Sequence, residues 1–290
     1  MIGLKRGTVA LYPHDTAWEN EAARTMEKLK KILNTAAVDI RHVGSTAVKT
    51  ICAKPIIDIA VGVKDFDSIL KKQRKLEKNG FYLRNSSIEN QLLFACGSYY
   101  DGTGELQTHF IHVVIHGSRE WQNYLLVRDY LNADINAAKE YEALKRRLAA
   151  ECPADSGREH YLAGKHGFIT ALIRTALVEK YLGKTVTIQI DRPMGYVHKK
   201  ENYTLVYPVN YGYIPGVYGG DGEELDVYLL GVGEPVEEYT CKIIGAVLRK
   251  NDCEDKLIAA AEGVIFTAEE AYKQIEFQEQ WYNTEMKMAE

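Results

Sequence analysis

Four acidic side chains crowd the stretch Asp221-Gly222-Glu223-Glu224-Leu225-Asp226, set within the longer run YPVNYGYIPGVYGGDGEELDVYLLG. A second acidic group, Asp252, Glu254 and Asp255, follows in RKNDCEDK, flanked by Arg249, Lys250 and Lys256. Carboxylates this close repel one another unless positive charge sits among them. Solvent counter-ions, a neighbouring lysine or a metal ion would each answer that need. Hard cations such as Mg²⁺ take oxygen ligands, and share a few carboxylates with waters and substrate phosphates. A metal held this way lowers the pKa of a bound water and offsets phosphate charge. Lysine, arginine and tyrosine can hold the remaining phosphate oxygens. A lone acidic turn is most simply a solvated loop, whereas two converging acidic loops with interleaved cations point to a metal.

Convergence requires particular elements. Asp221-Gly222 is a turn signal, and LDVYLLGV reads as the strand that follows it. If TCKIIGAVLRK returns antiparallel to that strand, NDCEDK arrives where the strand began. The region opens at Lys184 with KTVTIQIDRP and TLVYPVNYGYI, short strands separated by turn residues, as in a small β-barrel or sandwich. TAEEAYKQIEFQEQWYNTEMK reads as one or two helices, entered by a Thr267/Glu270 capping box. Upstream, helices and strands alternate in the manner of an α/β domain. KPIIDIAVGV is a buried strand, FDSILKKQRKLEKNG a helix ended by Gly80, and NADINAAKEYEALKRRLAAE a helix capped by Asp134. REHYLAGKHGFITALIRTALVEKYLG closes the first part at Gly183.

Charge marks the same division. Residues 1–184 hold 27 Lys+Arg against 21 Asp+Glu, and residues 185–290 hold 9 against 19, within a net charge of −4. The expected domains are therefore 1–183 and 184–290. The acidic second half is a poor partner for nucleic acid. No apolar run approaches the ~20 residues of a membrane span, and the first residues lack the apolar core of a signal peptide. The 5 cysteines are scattered without a CxxC pair, as in a reduced cytoplasmic protein. A homo-oligomer is compatible with all of this.

YPVNYGYI, DGEELDVYLLG and VLRKNDCEDKLIA together resemble family I soluble inorganic pyrophosphatase over about residues 185–285. The resemblance implies a compact OB-like β-barrel with flanking helices that hydrolyses pyrophosphate or another phosphoanhydride with Mg²⁺. It places Asp221, Asp226, Asp252 and Asp255 at the metal-ligand positions and Glu223 at that of the general base. Tyr211, Lys256 and Tyr282 fall at phosphate-binding or site-lining positions, with Glu223, Asp226 and Lys256 the catalytic set. There are departures from the family pattern. Gln189 stands for a glutamate and Asn283 for a lysine, and Asp255 directly precedes Lys256 where a residue normally separates them. The hairpin that carries a lysine and an arginine before Tyr-Pro is shortened, with Lys199 or Lys200 the nearest substitutes. Fewer cations imply a weaker phosphate grip, which leaves open a phosphoanhydride other than pyrophosphate as substrate.

HVGSTAVKTICAKPIIDIAVGV, with HFIHVV and EYEALKRRLA, resembles the GrpB-like family of the nucleotidyltransferase superfamily over about residues 1–175. That implies a nucleotide site at Gly44, Ser45 and Asp58, with His42 beside it and Lys54 as an anion-binding candidate. The superfamily carries two carboxylates at i and i+2 on one strand, but the partner of Asp58 is Ala60. His109, His112 and His116 do not form a metal cluster on one strand, because His109 faces opposite to the other two. The expected architecture is thus a nucleotidyltransferase-like α/β domain joined to a pyrophosphatase-like β-barrel. The expected function is Mg²⁺-dependent hydrolysis of pyrophosphate. The alternatives are nucleotidyl transfer by the first domain, or a phosphate- or nucleotide-binding protein without turnover.

Overall fold

The computed structural model of the chain describes residues 1–84, 89–153, 157–200 and 203–289, with the backbone alone at Lys200. The chain forms two compact units, Met1–Leu172 and Ile173–Glu290. Among the described residues, no helix is long and apolar enough to cross a membrane.

The first unit is built on a five-stranded sheet of β1 (Ala37–Val43), β2 (Ile57–Val63), β3 (Tyr82–Arg84), β4 (Gln91–Cys96) and β5 (His109–Ile115). The order is β1-β2-β5-β4-β3, with β2 and β5 parallel and the other neighbours antiparallel. The run IDIAVGV of β2 is buried on both faces except at Asp58, as its continuous apolar, β-branched composition requires. Helix α1 (Thr16–Leu33) starts at Asp15, whose side chain accepts from Ala17 N, and buries Trp18, Ala22, Leu29 and Leu33 at helical spacing. Helix α2 (Arg119–Ala133) is capped by Ser118 and α3 (Ile135–Glu151) by Asp134, the residue its sequence predicts. Helix α4 (Arg158–Tyr181) follows. The expected single helix over FDSILKKQRKLEKNG is instead two short ones, Asp67–Leu70 and Gln73–Glu77. Three-residue hydrogen-bond steps, Lys72 N to Ile69 O and Lys75 N to Lys72 O, tighten the backbone between them.

The second unit contains β6 (Thr185–Arg192), β7 (Val197–Lys200), β8 (Tyr203–Val206), β9 (Asn210–Tyr218), β10 (Glu224–Leu230), β11 (Glu238–Arg249), β12 (Lys256–Ala260), α5 (Ala268–Glu279) and β13 (Thr284–Met288). Neighbours run β12-β10-β9-β6-β11, and β11 pairs back onto β12, closing a five-stranded barrel. β7 and β8 form a separate hairpin. Strands β10 and β11 are not paired, contrary to the antiparallel return expected. β12 lies between them, parallel to β10 and antiparallel to β11. The two acidic loops nevertheless meet, since a Cβ at Gly220 would collide with the carbonyl of Cys253. The Thr267/Glu270 capping box is present. The last predicted helical residues form β13 instead, because pairing with β11 from Gly245↔Met288 to Arg249↔Thr284 satisfies that strand's free edge.

Candidate active site

Strand register assembles the centre of the barrel's cleft. Tyr211 lies opposite Tyr228, and Tyr213 opposite Asp226, on β9 and β10. The parallel pairing of Val227 with Leu257 puts Asp226 and Lys256, each one residue earlier, side by side. Lys256, 1% exposed, donates to Asp226 Oδ2 at 2.6 Å and Glu254 Oε1 at 2.9 Å, and also to the Tyr211 hydroxyl. A buried ammonium needs such acceptors, and all three of its protons are used. Burial, with the Asp226 charge next, pushes the Tyr211 hydroxyl well above its usual range, so it stays protonated. Burial also raises the Glu254 carboxyl, as does its hydrogen bond with Asp226.

These groups open into a cleft of about 700 Å³, lined among others by Arg192, Tyr211, Asp226, Glu254, Lys256 and Tyr282. Arg192 was not singled out from the sequence. It ends β6 opposite Tyr211, donates to the Tyr207 hydroxyl at 2.6 Å and stands 5.0 Å from the Tyr211 ring centroid. It supplies a cation on the strand preceding the shortened hairpin.

Other expected site residues have different partners. Asp221 and Glu223 are exposed in the turn, where Asp221 Oδ1 accepts from Glu223 N at 3.1 Å, and neither lines the cleft. Glu224 accepts from Gly216 N at 2.6 Å. Asp255, 8% exposed, is clamped by Arg174 through Nε at 2.8 Å and through Nη2, and also accepts from Arg249 N. Strand alternation accounts for this placement. Lys256 and the residue two before it share a side, so Glu254 faces the cleft and Asp255 the opposite way. Gln189 pairs with Glu238 outside the cleft.

Arg249 organises the second acidic loop. Its guanidinium, 1% exposed, donates through Nε at 2.9 Å and Nη2 at 2.8 Å to buried Glu279, and through Nη1 to Asp252 at 3.0 Å and Glu254 at 2.7 Å. It also lies 3.6 Å from the Tyr282 ring centroid. Despite some burial, the Cys253 amide and Arg249 hold the Asp252 carboxyl below its usual range. Much of the acidic charge is therefore answered by Lys256, Arg249 and Arg174. Among the described residues, no three His, Cys, Asp or Glu side chains converge on a metal position, so the four-aspartate set is not assembled. Asp226 and Glu254 together do fit one hard cation shared with phosphate oxygens, the one-or-two-carboxylate arrangement that Mg²⁺ accepts.

In the first unit, Gly44 adopts φ 71°, and a Cβ there would lie 2.5 Å from Asp58 Oδ2. Only glycine lets the turn approach that carboxylate. Asp58 Oδ1 is 3.2 Å from His112 Nε2, whose Nδ1 is 3.0 Å from the Tyr124 hydroxyl. Ser45 Oγ lies 3.4 Å from the Tyr141 hydroxyl. His42 pairs with Ile59 while Val43 pairs with Asp58, which turns His42 to the other sheet face, where its Nε2 is 3.0 Å from Thr46 Oγ1. Burial pushes His42 down to about 4. Ala60 is fully buried with Val43, Val114 and Trp121. His109 contacts Thr25 and Thr108, apart from His112. Nearby, the ammonium groups of Lys54 and Lys165 lie 4.9 and 4.7 Å from the same Tyr161 ring centroid. Burial, together with Lys165 and Arg158, pushes Lys54 down to about 8.

Comparison with known proteins divides the chain in the same sense. Residues 8–175 match the family described as GrpB protein, and residues 176–287 match inorganic pyrophosphatase. The glutamate-rich protein GrpB of Alkalihalophilus pseudofirmus is 36% identical over 176 residues, which cover 60% of this chain and 98% of that one. The crystal structure of conserved protein GrpB from Enterococcus faecalis aligns with a TM-score of 0.53 and 28% identity, over 59% of this chain and 99% of the other. An inorganic pyrophosphatase from Ehrlichia chaffeensis aligns over 37% of this chain and 88% of its own, with 19% identity and a TM-score of 0.29.

Proposed function

We propose a phosphoanhydride hydrolase, on the premise that the chain belongs to the GrpB family, a nucleotidyltransferase-like fold, through residues 8–175 and carries an inorganic pyrophosphatase domain at 176–287. One observation carries the reading: Arg192, Tyr211, Asp226, Glu254, Lys256 and Tyr282 share a single cleft. Cations and phenols grip phosphate oxygens there, and two carboxylates face them. Asp226 and Glu254 are the residues that would hold Mg²⁺, with Glu254 in the place expected of Asp255. When bound, the ion supplies an activated water and offsets phosphate charge. Lys256 and Arg192 stabilise charge that develops on the departing phosphate. Tyr211 remains a phenol and orients a phosphate oxygen as a neutral donor. Arg249 keeps Glu254 and Tyr282 in position.

Phosphate release from Mg²⁺-pyrophosphate by the full chain tests this. Asp226→Asn is expected to abolish release, whereas Asp255→Asn is expected to lower stability and leave residual turnover. Release that survives Asp226→Asn rejects the site.

A specific observation favours a second role for the α/β unit. The ammonium groups of Lys54 and Lys165 share the Tyr161 ring, with the Arg158 and Asp58 charges felt at Lys54, an arrangement suited to binding a phosphate or nucleotide. Buried Ala60 in place of a second carboxylate argues against metal-dependent nucleotidyl transfer. Calorimetric titration with ATP is expected to show binding that Lys54→Met weakens about tenfold, the cost of one charge-assisted contact. Affinity should fall as pH rises through about 8, where Lys54 loses its proton. Incorporation of labelled nucleotide that is lost on Asp58→Ala would restore the transferase alternative.

A further inference from the structure

The cleft is larger and more aromatic than two phosphoryl groups require. Its roughly 700 Å³ falls within the range of about 300–1,000 Å³ typical of pockets for whole organic ligands. Charge occupies the barrel side, around Lys256 and Arg192. The opposite walls come from the β7–β8 hairpin and the end of α5, and include Tyr203, Leu205, Phe277, Gln278, Gln280 and Trp281. Trp281 stands at the cleft with 75% of its surface exposed, although an indole is ordinarily among the costliest groups to leave in water. A phosphate ion has no use for such a surface, but a planar ring does. Base-on-aromatic stacking strengthens binding by about tenfold or more and tolerates any base.

We infer that the preferred substrate is a nucleoside phosphoanhydride, its phosphates held at Lys256 and Arg192 and its base stacked on Trp281. The inference rests on the hydrolase reading above and narrows its substrate. The chemistry of the wall selects a base over a lipid tail. Among the described lining residues, Leu205 is the sole purely aliphatic side chain, and the amides of Gln278 and Gln280 and the imidazole of His198 stand among the rings. A prenyl chain would need a continuous aliphatic wall, whereas a base presents polar edges that amides can meet. In the reaction, a water oxygen forms a bond to one phosphorus while the bridging P–O bond breaks. Each product carries one phosphate end, and the water's proton passes to the released oxygen or to solvent.

The test uses the full chain with Mg²⁺ and compares kcat/KM for ADP, ATP, NAD, inorganic pyrophosphate and inorganic tripolyphosphate. At least one nucleotide is expected to exceed both inorganic substrates about tenfold or more. Trp281→Ala should lower the nucleotide-to-inorganic ratio by a similar factor, mainly through KM, and Trp281→Phe should restore most of it. Inorganic pyrophosphate outpacing every nucleotide, or a ratio unmoved in Trp281→Ala, overturns the nucleoside assignment and leaves the hydrolase reading intact. No turnover of any of the five removes the hydrolase reading and this inference with it.

Discussion

In the barrel, the two cleft carboxylates have a cation in hydrogen-bond reach: Asp226 and Glu254 share Lys256, and Glu254 also meets Arg249. In the α/β unit, two ammonium groups share the Tyr161 ring beside Arg158, with Asp58 the carboxylate that favours Lys54's charge. The first arrangement is balanced and works by exchange, since an incoming phosphate must take a cation from a carboxylate. The second is cation-rich and gains from addition, since an anion entering it relieves repulsion. Sites of the first kind suit turnover, because nothing is held too tightly. Sites of the second kind suit retention.

That contrast can be broken most forcefully at Arg249. Arg249→Met leaves buried Glu279 without its cation, with only the Tyr228 hydroxyl still donating to it, and is expected to cost about 3–5 kcal/mol, read as an earlier denaturant midpoint for the barrel. A barrel unmoved by this change would mean its balance is local to Lys256. Next in size, Lys256→Met leaves Asp226 and Glu254 facing each other without their ammonium. Phosphate release should fall roughly 10²–10³-fold, as on loss of a charge-stabilising group.

The α/β unit is probed by acid. Burial holds His42 at about 4, against an ordinary 6.5, with Asp58 and Glu19 opposing and Arg128 and His14 assisting. Between those values the unfolded chain binds the extra proton, so the unit should lose stability as pH falls from 6.5 to 4. The expected loss is about 2 kcal/mol after allowance for its partial exposure. Calorimetry of the full chain at both pH values, beside His42→Gln, checks this, and the variant should show a flatter dependence. The smallest effect is expected at Glu223→Gln. This exposed turn residue lies outside the cleft lining, so turnover should change less than about threefold, within the range of surface substitutions. A larger loss would return the general-base role to Glu223 and show that the turn closes over substrate.

Much of this was legible in the sequence because it rests on local chemistry. The turn at Asp221-Gly222, the Asp134 and Thr267 caps, and the buried run IDIAVGV each need only neighbouring residues. The change from α/β alternation to short strands marked a second architecture. The failures concern partners brought from afar. That β12 separates β10 from β11 follows from barrel closure, which no window of sequence contains. Arg249 and Arg174 look like surface cations until the loop folds over them. The exchange of Asp255 for Glu254 was accessible in principle. With no residue between Asp255 and Lys256, the period-two alternation of an extended chain sends the two to opposite sides.

Arg249 touches the loop at Asp252 and Glu254, the end of helix α5 at Glu279 and the ring of Tyr282. The two segments it joins, residues 249–254 and 279–282, therefore cannot separate without uncovering the same guanidinium. Their backbone amides should exchange with deuterium as one group, at a common opening free energy near that of the whole barrel. The floor of the cleft would then stay rigid on the timescale of substrate exchange, leaving adjustment to the exposed rim around Trp281.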